Sequence, residues 1–292
     1  MKPELAARGD GSLVAIPYDG SFSLLDTLKS GQLFHWESFR FGEFDGYAGC
    51  IGGAPPSFIA QLESGAVLTL KGDCERVAGY FGLDHRMEEI HATFPSNDPV
   101  LRAAIAYCPG IRIVRQPVWE CLATFITSSL KQVTHIRAIS MTLRQRYGVA
   151  HQFGGRTFYA YPEPAVLAAA GEEALRQCSL GYRAKSLHLA AVAIGAGRID
   201  LNAIEREPSL SRARESLMQL HGVGEKIANC ALLFSAGQWG AFPIDVWIER
   251  ILREHYRKRV KGPKLQQWAV KHFGVNAGYA QQYLFHFARK TL

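Results

Sequence analysis

The sequence predicts an α+β fold, with a small antiparallel β-rich domain at residues 1–99 and a mainly helical domain at residues 100–292. Short apolar runs broken by glycine and proline dominate the first part, and from Asp98 onward apolar residues recur at helical spacing. A Gly-x-Gly turn also joins two helical segments at residues 210–234. A chain of 292 residues has room for two such domains.

Strands are predicted where short apolar runs lie between turn-forming residues, which is typical of an antiparallel sheet. These runs are Leu13–Ile16, Tyr47–Ile51, Phe58–Leu62 and Val67–Leu70. A helix over Cys74–Phe81 is predicted to follow them.

In the helical part, one long helix is predicted over Val118–Leu130. Its apolar face comprises Leu122, Phe125, Ile126 and Leu130. Gln152–Tyr161 is rich in glycine and aromatic residues, and we expect a loop there.

The segment 210–234 predicts two helices joined by a tight turn. Apolar residues recur every three to four positions on both sides of it. Gly222 and Gly224 can adopt positive φ and have no side chain, so the turn can bring backbone N–H groups against a DNA phosphate. That contact involves no base and is independent of DNA sequence. A purely structural αα-hairpin is the alternative.

Lys226 lies in the first turn of the second helix, where the helix dipole disfavours an ammonium group. A helix N-terminus and desolvation both favour the neutral form of an amine, and a neutral amine can attack an electrophilic carbon to form a Schiff base. Lys226 is therefore a candidate nucleophile. A phosphate-binding lysine is the alternative.

Asp245 lies 19 residues after Lys226, at the end of the run Phe242-Pro243-Ile244. Apolar residues at helical spacing follow it, so Asp245 is predicted to be a helix N-cap. A carboxylate near the lysine can also stabilise positive charge on a sugar or transfer a proton. The spacing leaves both roles open.

Five segments share a pattern with one protein family, in the same order. They are Ser30–Trp36, Glu120–Ser129, Leu180–Lys185, the stretch Leu220–Ala228 with Pro243–Asp245, and Gly278–Phe285. The chain resembles the helix-hairpin-helix DNA glycosylases and, among them, the 8-oxoguanine glycosylases. The resemblance covers nearly the whole chain and implies an N-terminal antiparallel β domain of that family's type, packed on a helical glycosylase domain.

By this resemblance, Lys226 is the nucleophile that attacks the sugar C1′, and Asp245 stabilises the oxocarbenium-like transition state. The carbonyl of Gly31 accepts a hydrogen bond from N7–H of the lesion, a proton that guanine lacks. The remaining base-binding residues that the resemblance implies are Cys230 and Phe285 as the stacking pair, Gln281 at the Watson–Crick edge and Pro243 in the pocket wall.

The resemblance also implies that Tyr182 enters the gap left in the duplex and that Arg183 reads the unpaired partner base. Chemistry on a base requires its removal from the stack, so such parts are expected. Ordinary roles are the alternatives: core packing for Phe285 and Cys230, a solvated helix position for Gln281, and a surface turn for Tyr182-Arg183.

The sequence departs from the family pattern at several positions. Leu130-Lys131 stands where a pair of asparagines is usual, and His135 where an arginine is usual. In that family, an asparagine and the arginine at these positions recognise the base opposite the lesion, so the opposite-base preference of this chain is left open. Trp247 replaces a histidine, and His221 replaces a proline of the hairpin.

Composition agrees with a nucleic-acid partner. The net charge of +7 and pI near 9.1 favour a polyanion. The six cysteines form no Cys-x-x-Cys pair, so we expect no zinc or iron–sulfur centre and no other cofactor. The sequence shows no apolar signal core and no stretch long enough to span a membrane. We therefore expect a protein of the prokaryotic cytoplasm that acts at the nucleoid, or a nuclear protein if the source is a eukaryote. We also expect it to be a monomer.

The sequence therefore predicts a DNA glycosylase and abasic-site lyase that removes 8-oxoguanine from double-stranded DNA, through a lysine Schiff base followed by β-elimination. A helix-hairpin-helix glycosylase for alkylated or other damaged bases is the nearer alternative. A non-catalytic DNA-binding protein is the more distant one, because it does not explain why Lys226 and Asp245 occur together.

Overall fold

The computed structural model describes residues 12–128 and 132–291. Five strands of the N-terminal part form one antiparallel sheet in the order β1-β5-β4-β3-β2. They are β1 (Leu13–Ile16), β2 (Glu37–Phe41), β3 (Phe44–Gly49), β4 (Ser57–Gln61) and β5 (Val67–Leu70). The pairs Ile16–Val67 and Tyr47–Ile59 illustrate the register. The predicted antiparallel sheet is confirmed.

Strand β2 was not predicted, because only Phe39 among its five residues is buried. An edge strand with one core residue has little apolar signal.

Helices fill most of the remaining chain. They are α1 (Leu24–Lys29), α2 (Cys74–Tyr80), α3 (Met87–Ala92), α4 (Pro99–Tyr107), α5 (Val118–Ser128), α6 (Val133–Tyr147), α7 (Pro164–Leu175), α8 (Arg183–Gly195), α9 (Leu201–Arg206), α10 (Leu210–Met218), α11 (Glu225–Phe234), α12 (Val246–Glu254), α13 (Pro263–Phe273) and α14 (Ala277–Thr291). The α+β class is therefore confirmed.

The expected loop at Gln152–Tyr161 is wrong in part. The structure has a hairpin there, formed by β6 (Ala150–Phe153) and β7 (Arg156–Tyr159). Gly154 and Gly155 both have positive φ, the backbone that a two-residue hairpin turn requires. Phe153 and Phe158 pack on Phe39 of the N-terminal sheet. Their ring centroids lie 5.2 and 5.7 Å, respectively, from the centroid of the Phe39 ring.

Helix α5 is the centre of the helical part, and all eleven of its residues are buried. It packs against α11 through Phe125 and Phe234, whose stacked rings lie 5.5 Å apart. The sequence predicted only one buried face for this helix, whereas the structure buries the helix on all sides. Leu130, at the end of the predicted helix, lies outside the described residues.

Buried polar contacts connect the segment after α1 to the segment between α4 and α5. The side chain of Gln32 donates to the carbonyl of Arg112 over 2.8 Å and accepts from the N–H of Val114 over 3.0 Å. Gln116 donates to the carbonyl of Gln32 over 3.0 Å. These bonds fix the segment that contains Gly31 in place. Because buried polar groups are satisfied only when these partners meet, they favour a single position for this segment.

Candidate active site

Lys226 occupies the first turn of α11, directly after the hairpin turn, and its side chain is half-buried. Its Nζ lies 5.1 Å from the centroid of the Phe125 ring and 3.4 Å from Oγ of Ser128. The hydroxyl of Ser128 itself donates to the carbonyl of Phe125 over 2.8 Å. Helix α5 therefore holds the amine by an aromatic face and one hydroxyl acceptor.

Asp245 is the N-cap of α12, as predicted. Its Oδ1 accepts hydrogen bonds from the N–H groups of Trp247 and Ile248 over 3.1 and 2.9 Å. Burial raises the pKa of Asp245, while these N–H groups and the positive charge of Lys226 act to lower it. The carboxylate is thus desolvated but stabilised by two fixed donors and a nearby amine.

Cys230 lies one helical turn after Lys226 and is buried. Burial raises the pKa of its thiol to about 11; Lys226 acts to lower this value and Asp245 to raise it. The thiol is therefore protonated at neutral pH, and the three side chains lie within electrostatic reach of one another. Pro243, buried two residues before Asp245, lies in the same segment.

Gly31 lies against Phe285 of α14. Its φ is +84°, and a Cβ added there would lie 3.0 Å from Cε1 of Phe285 and 3.3 Å from Nη1 of Arg289. A glycine is required here for its backbone conformation and for the close approach of the aromatic ring. The structure thus brings together two predicted site residues that are 254 positions apart in the chain.

Gln281 is only 4% exposed, so the alternative of a solvated helix position is wrong. Its Oε1 has no hydrogen-bond partner among the described residues. An unpaired buried acceptor costs about 1–3 kcal/mol unless something else satisfies it. Gln281 and Phe285 are four residues apart and share one face of α14.

Tyr182 is 63% exposed at the start of α8, whereas Arg183 is buried. The guanidinium of Arg183 lies 4.3 Å from the centroid of the Tyr182 ring and donates to the carbonyl of Leu180 over 3.5 Å. The position of Tyr182 suits a side chain that enters DNA. Arg183 must turn away from Leu180 before it can reach a base.

The hairpin consists of α10, the turn and α11. Gly222 has φ of +78°, and a Cβ there would overlap Oγ of Ser186 in α8. Gly224 has φ of −101°, so the expectation that both glycines use positive φ holds for Gly222 alone. Nothing lies within 4 Å of a Cβ added at Gly224, and its outer side is open to a partner.

These two glycines give a matched pair of variants. We expect Gly222→Ala to lower the free energy of unfolding by about 1–3 kcal/mol, because it combines backbone strain with the overlap at Ser186. Gly224→Ala should leave stability within about 1 kcal/mol but weaken binding to undamaged duplex DNA. Urea unfolding would measure the stability of each variant, and fluorescence anisotropy would measure its binding to DNA. Equal stability losses in the two variants would contradict the different roles assigned to Gly222 and Gly224.

The positions linked to the opposite base are only partly described. Leu130 and Lys131 lie outside the described residues, while His135 is exposed in the first turn of α6. Within residues 12–128 and 132–291, no group of three or more His, Cys, Asp or Glu side chains could hold a metal ion. No described helix has the length and apolarity to cross a bilayer.

Sequence reasoning missed Ser128, Phe125 and Arg289 as parts of the site. The first two face Lys226 only because α5 and α11 pack together, so no local pattern indicates them. Arg289 had a signal that could have found it, since it lies eight residues after Gln281 and four after Phe285 on one helix face.

A helical hairpin with an open glycine turn, followed at once by a lysine amine near a capping carboxylate, is typical of the helix-hairpin-helix DNA glycosylases. The sequence pattern of the 8-oxoguanine DNA glycosylase N-terminal domain matches residues 15–122. This match continues past residue 99, where the sequence predicts the domain boundary.

Three relatives match over nearly the full length. The structure of MBOgg1 with a low-affinity DNA ligand is 32% identical with a TM-score of 0.84, covering 96% of this chain and 99% of that one. The Clostridium acetobutylicum 8-oxoguanine glycosylase/lyase, bound to duplex DNA with cytosine opposite 8-oxoguanine, is 28% identical with a TM-score of 0.86, covering 96% and 98%. A probable N-glycosylase/DNA lyase of Methanothermobacter thermautotrophicus is 29% identical, covering 93% and 95%. The chain belongs to the 8-oxoguanine DNA glycosylase family.

Proposed function

We propose that this protein removes 8-oxoguanine from duplex DNA and then cleaves the strand at the resulting abasic site. The observation that carries the proposal is the placement of Lys226 and Asp245 within electrostatic reach of each other, directly behind the hairpin. A DNA-binding protein without catalysis would need the open turn at Gly224 but not a half-buried amine within electrostatic reach of a desolvated carboxylate.

The chemistry follows from these two groups. The amine of Lys226 attacks C1′ of the deoxyribose, the glycosidic bond breaks, and the base leaves with the bonding electron pair and takes up a proton. Asp245 stabilises the positive charge that develops on the sugar. Transfer of the second amine proton to the ring oxygen breaks the C1′–O4′ bond, opens the sugar and leaves an imine between Lys226 and C1′. The imine acidifies the C2′ proton, whose removal expels the 3′ phosphate.

Recognition of the base is assigned to Gly31 and to two residues of α14, together with Cys230 and Pro243. The carbonyl of Gly31 accepts from N7–H, and the unpaired Oε1 of Gln281 accepts from the Watson–Crick edge. The neutral thiol of Cys230 and the ring of Phe285 stack on the two faces of the base. Pro243 lines the pocket. The buried acceptor of Gln281 supports this assignment because a bound base satisfies it.

DNA is held open by residues on the hairpin side. Tyr182 fills the gap left by the extruded nucleotide, and Arg183, released from Leu180, contacts the opposite base. His135 and the segment Leu130-Lys131 set which opposite base is accepted. Because the substrate is chromosomal DNA, the protein acts at the nucleoid of a prokaryote or in the nucleus of a eukaryote.

The test is a set of otherwise identical duplexes with one 8-oxoguanine opposite each of the four bases, one 3-methyladenine, or no lesion. We expect release of free 8-oxoguanine, a β-elimination product and a borohydride-trapped adduct, with rates that depend on the opposite base. Excision of 3-methyladenine with 8-oxoguanine left intact would indicate an alkylated-base glycosylase. Binding to all duplexes with no adduct or base release would indicate a binding protein.

A further inference from the structure

We propose that Arg289 is a specificity-determining residue, whose guanidinium donates a hydrogen bond to the C8 carbonyl oxygen of 8-oxoguanine. The inference rests on the proposed function, in which the carbonyl of Gly31 binds N7–H of the same base. It adds a second contact to the part of the lesion that differs from guanine.

The position of Arg289 on α14 is the first support. Gln281, Phe285 and Arg289 are spaced by four residues, so they form a row along one helix face. The guanidinium carbon of Arg289 lies 5.4 Å from the centroid of the Phe285 ring. Gln281 and Phe285 are the two members of this row that are assigned to base binding. Arg289 lies at the end of the row nearest Gly31.

The contacts of Arg289 leave one donor group available. Its Nη2 donates to the carbonyl of Lys29, while its Nη1 is buried and has no hydrogen-bond partner among the described residues. Gln282, two turns earlier on α14, donates to the carbonyl of Ser30 over 3.0 Å. Helix α14 is thus anchored to the backbone carbonyls of Lys29 and Ser30, the two residues directly before Gly31, and the Arg289 side chain that carries Nη1 is held there.

The chemistry of the lesion fits this arrangement. In 8-oxoguanine, the N7–H donor and the C8 carbonyl acceptor are on adjacent ring atoms. In the protein, Nη1 of Arg289 lies 3.3 Å from the position that a Cβ on Gly31 would take, so a donor stands at the same residue whose carbonyl is the proposed acceptor. Guanine has a lone pair at N7 and an apolar C8–H. Bound in the same way, guanine would leave both the Gly31 carbonyl and the Arg289 donor unpaired, and a site built to bond a substrate group discriminates strongly against analogues that lack it.

Arg289 also lies close enough to Asp245 for the two charges to interact. A second interpretation is therefore that Arg289 acts through the catalytic carboxylate instead of the base. The two interpretations differ for a DNA substrate that has already lost its base. Cleavage of a preformed abasic site needs Lys226 and the sugar, but it offers no C8 carbonyl.

The experiment compares Arg289→Met with the native chain in single-turnover reactions. We expect excision of 8-oxoguanine opposite cytosine to slow by roughly 10- to 100-fold, the effect of losing one charged hydrogen bond. Cleavage of a preformed abasic site should change less than about threefold. Lys290→Met, which removes an exposed positive charge from the next position of α14, is the matched control and should alter neither reaction.

Equal losses in the two reactions would overturn the proposal in favour of an effect through Asp245 or the fold, and unchanged excision would overturn it outright. If Arg289→Met does not fold, Arg289→Lys replaces it: one ammonium can hold the Lys29 carbonyl but provides no second fixed donor, so the same selective loss is expected. A native chain that cleaves abasic sites but releases no 8-oxoguanine would refute the proposed substrate, and this inference with it.

Discussion

A Lys226→Gln protein is expected to form no borohydride-trapped adduct with 8-oxoguanine DNA and to release the base at least roughly 10⁴-fold more slowly than the native chain. The glutamine amide has no basic lone pair, so the covalent step has no substitute within the site. DNA binding should persist, because the hairpin turn and its backbone N–H groups precede the changed residue.

The structure indicates that this substitution is compatible with folding. The side chain of Lys226 is half-buried, and its contacts are Ser128 and the ring of Phe125, which a glutamine of similar length can also approach. Lys185→Gln, an exposed lysine in α8, is the matched control for the loss of one positive charge. It should retain the adduct. A Lys226→Gln protein that still excises 8-oxoguanine at the native rate would exclude the Schiff-base mechanism.

Local patterns were enough to predict the catalytic segment from the sequence. The apolar spacing on both sides of Gly222 predicts α10 and α11, and an aspartate before an apolar helix predicts the N-cap at Asp245; the structure has all three. These features depend on neighbours within about one helical turn, where the rules of helix initiation and termination operate.

Features that depend on tertiary packing could not be predicted in the same way. The aromatic residues of the β6–β7 hairpin pack on Phe39, which lies more than 100 positions away, and the glycines of its turn indicated only a loop. The approach of Phe285 to Gly31 likewise follows from the anchoring of α14. The family resemblance predicted residues on both sides of this contact, but it assigned no role to Arg289, although Arg289 follows Phe285 by one helical turn on the same face.

Asp245→Asn separates the two roles of the carboxylate. Asparagine is as good an N-cap as aspartate, so the free energy of unfolding should change by less than about 1 kcal/mol. Excision of 8-oxoguanine should fall by roughly 10²- to 10⁴-fold, because a neutral amide cannot stabilise the positive charge on the sugar. Urea unfolding and single-turnover excision would measure the two effects.

Two controls define the result. Asp200→Asn changes an exposed aspartate that caps α9 through the N–H groups of Asn202 and Ala203, and it should alter neither stability nor excision by a measurable amount. Asp245→Ala should lose the cap as well, at a further cost of about 0.5–2 kcal/mol in the free energy of unfolding.

Burial raises the pKa of Asp245, so native activity should decline on the acid side at a higher pH than for an ordinary aspartate. The residual activity of Asp245→Asn should lack this decline, because no carboxylate is left to protonate. If this variant excised 8-oxoguanine at the native rate, Asp245 would have only the N-cap role.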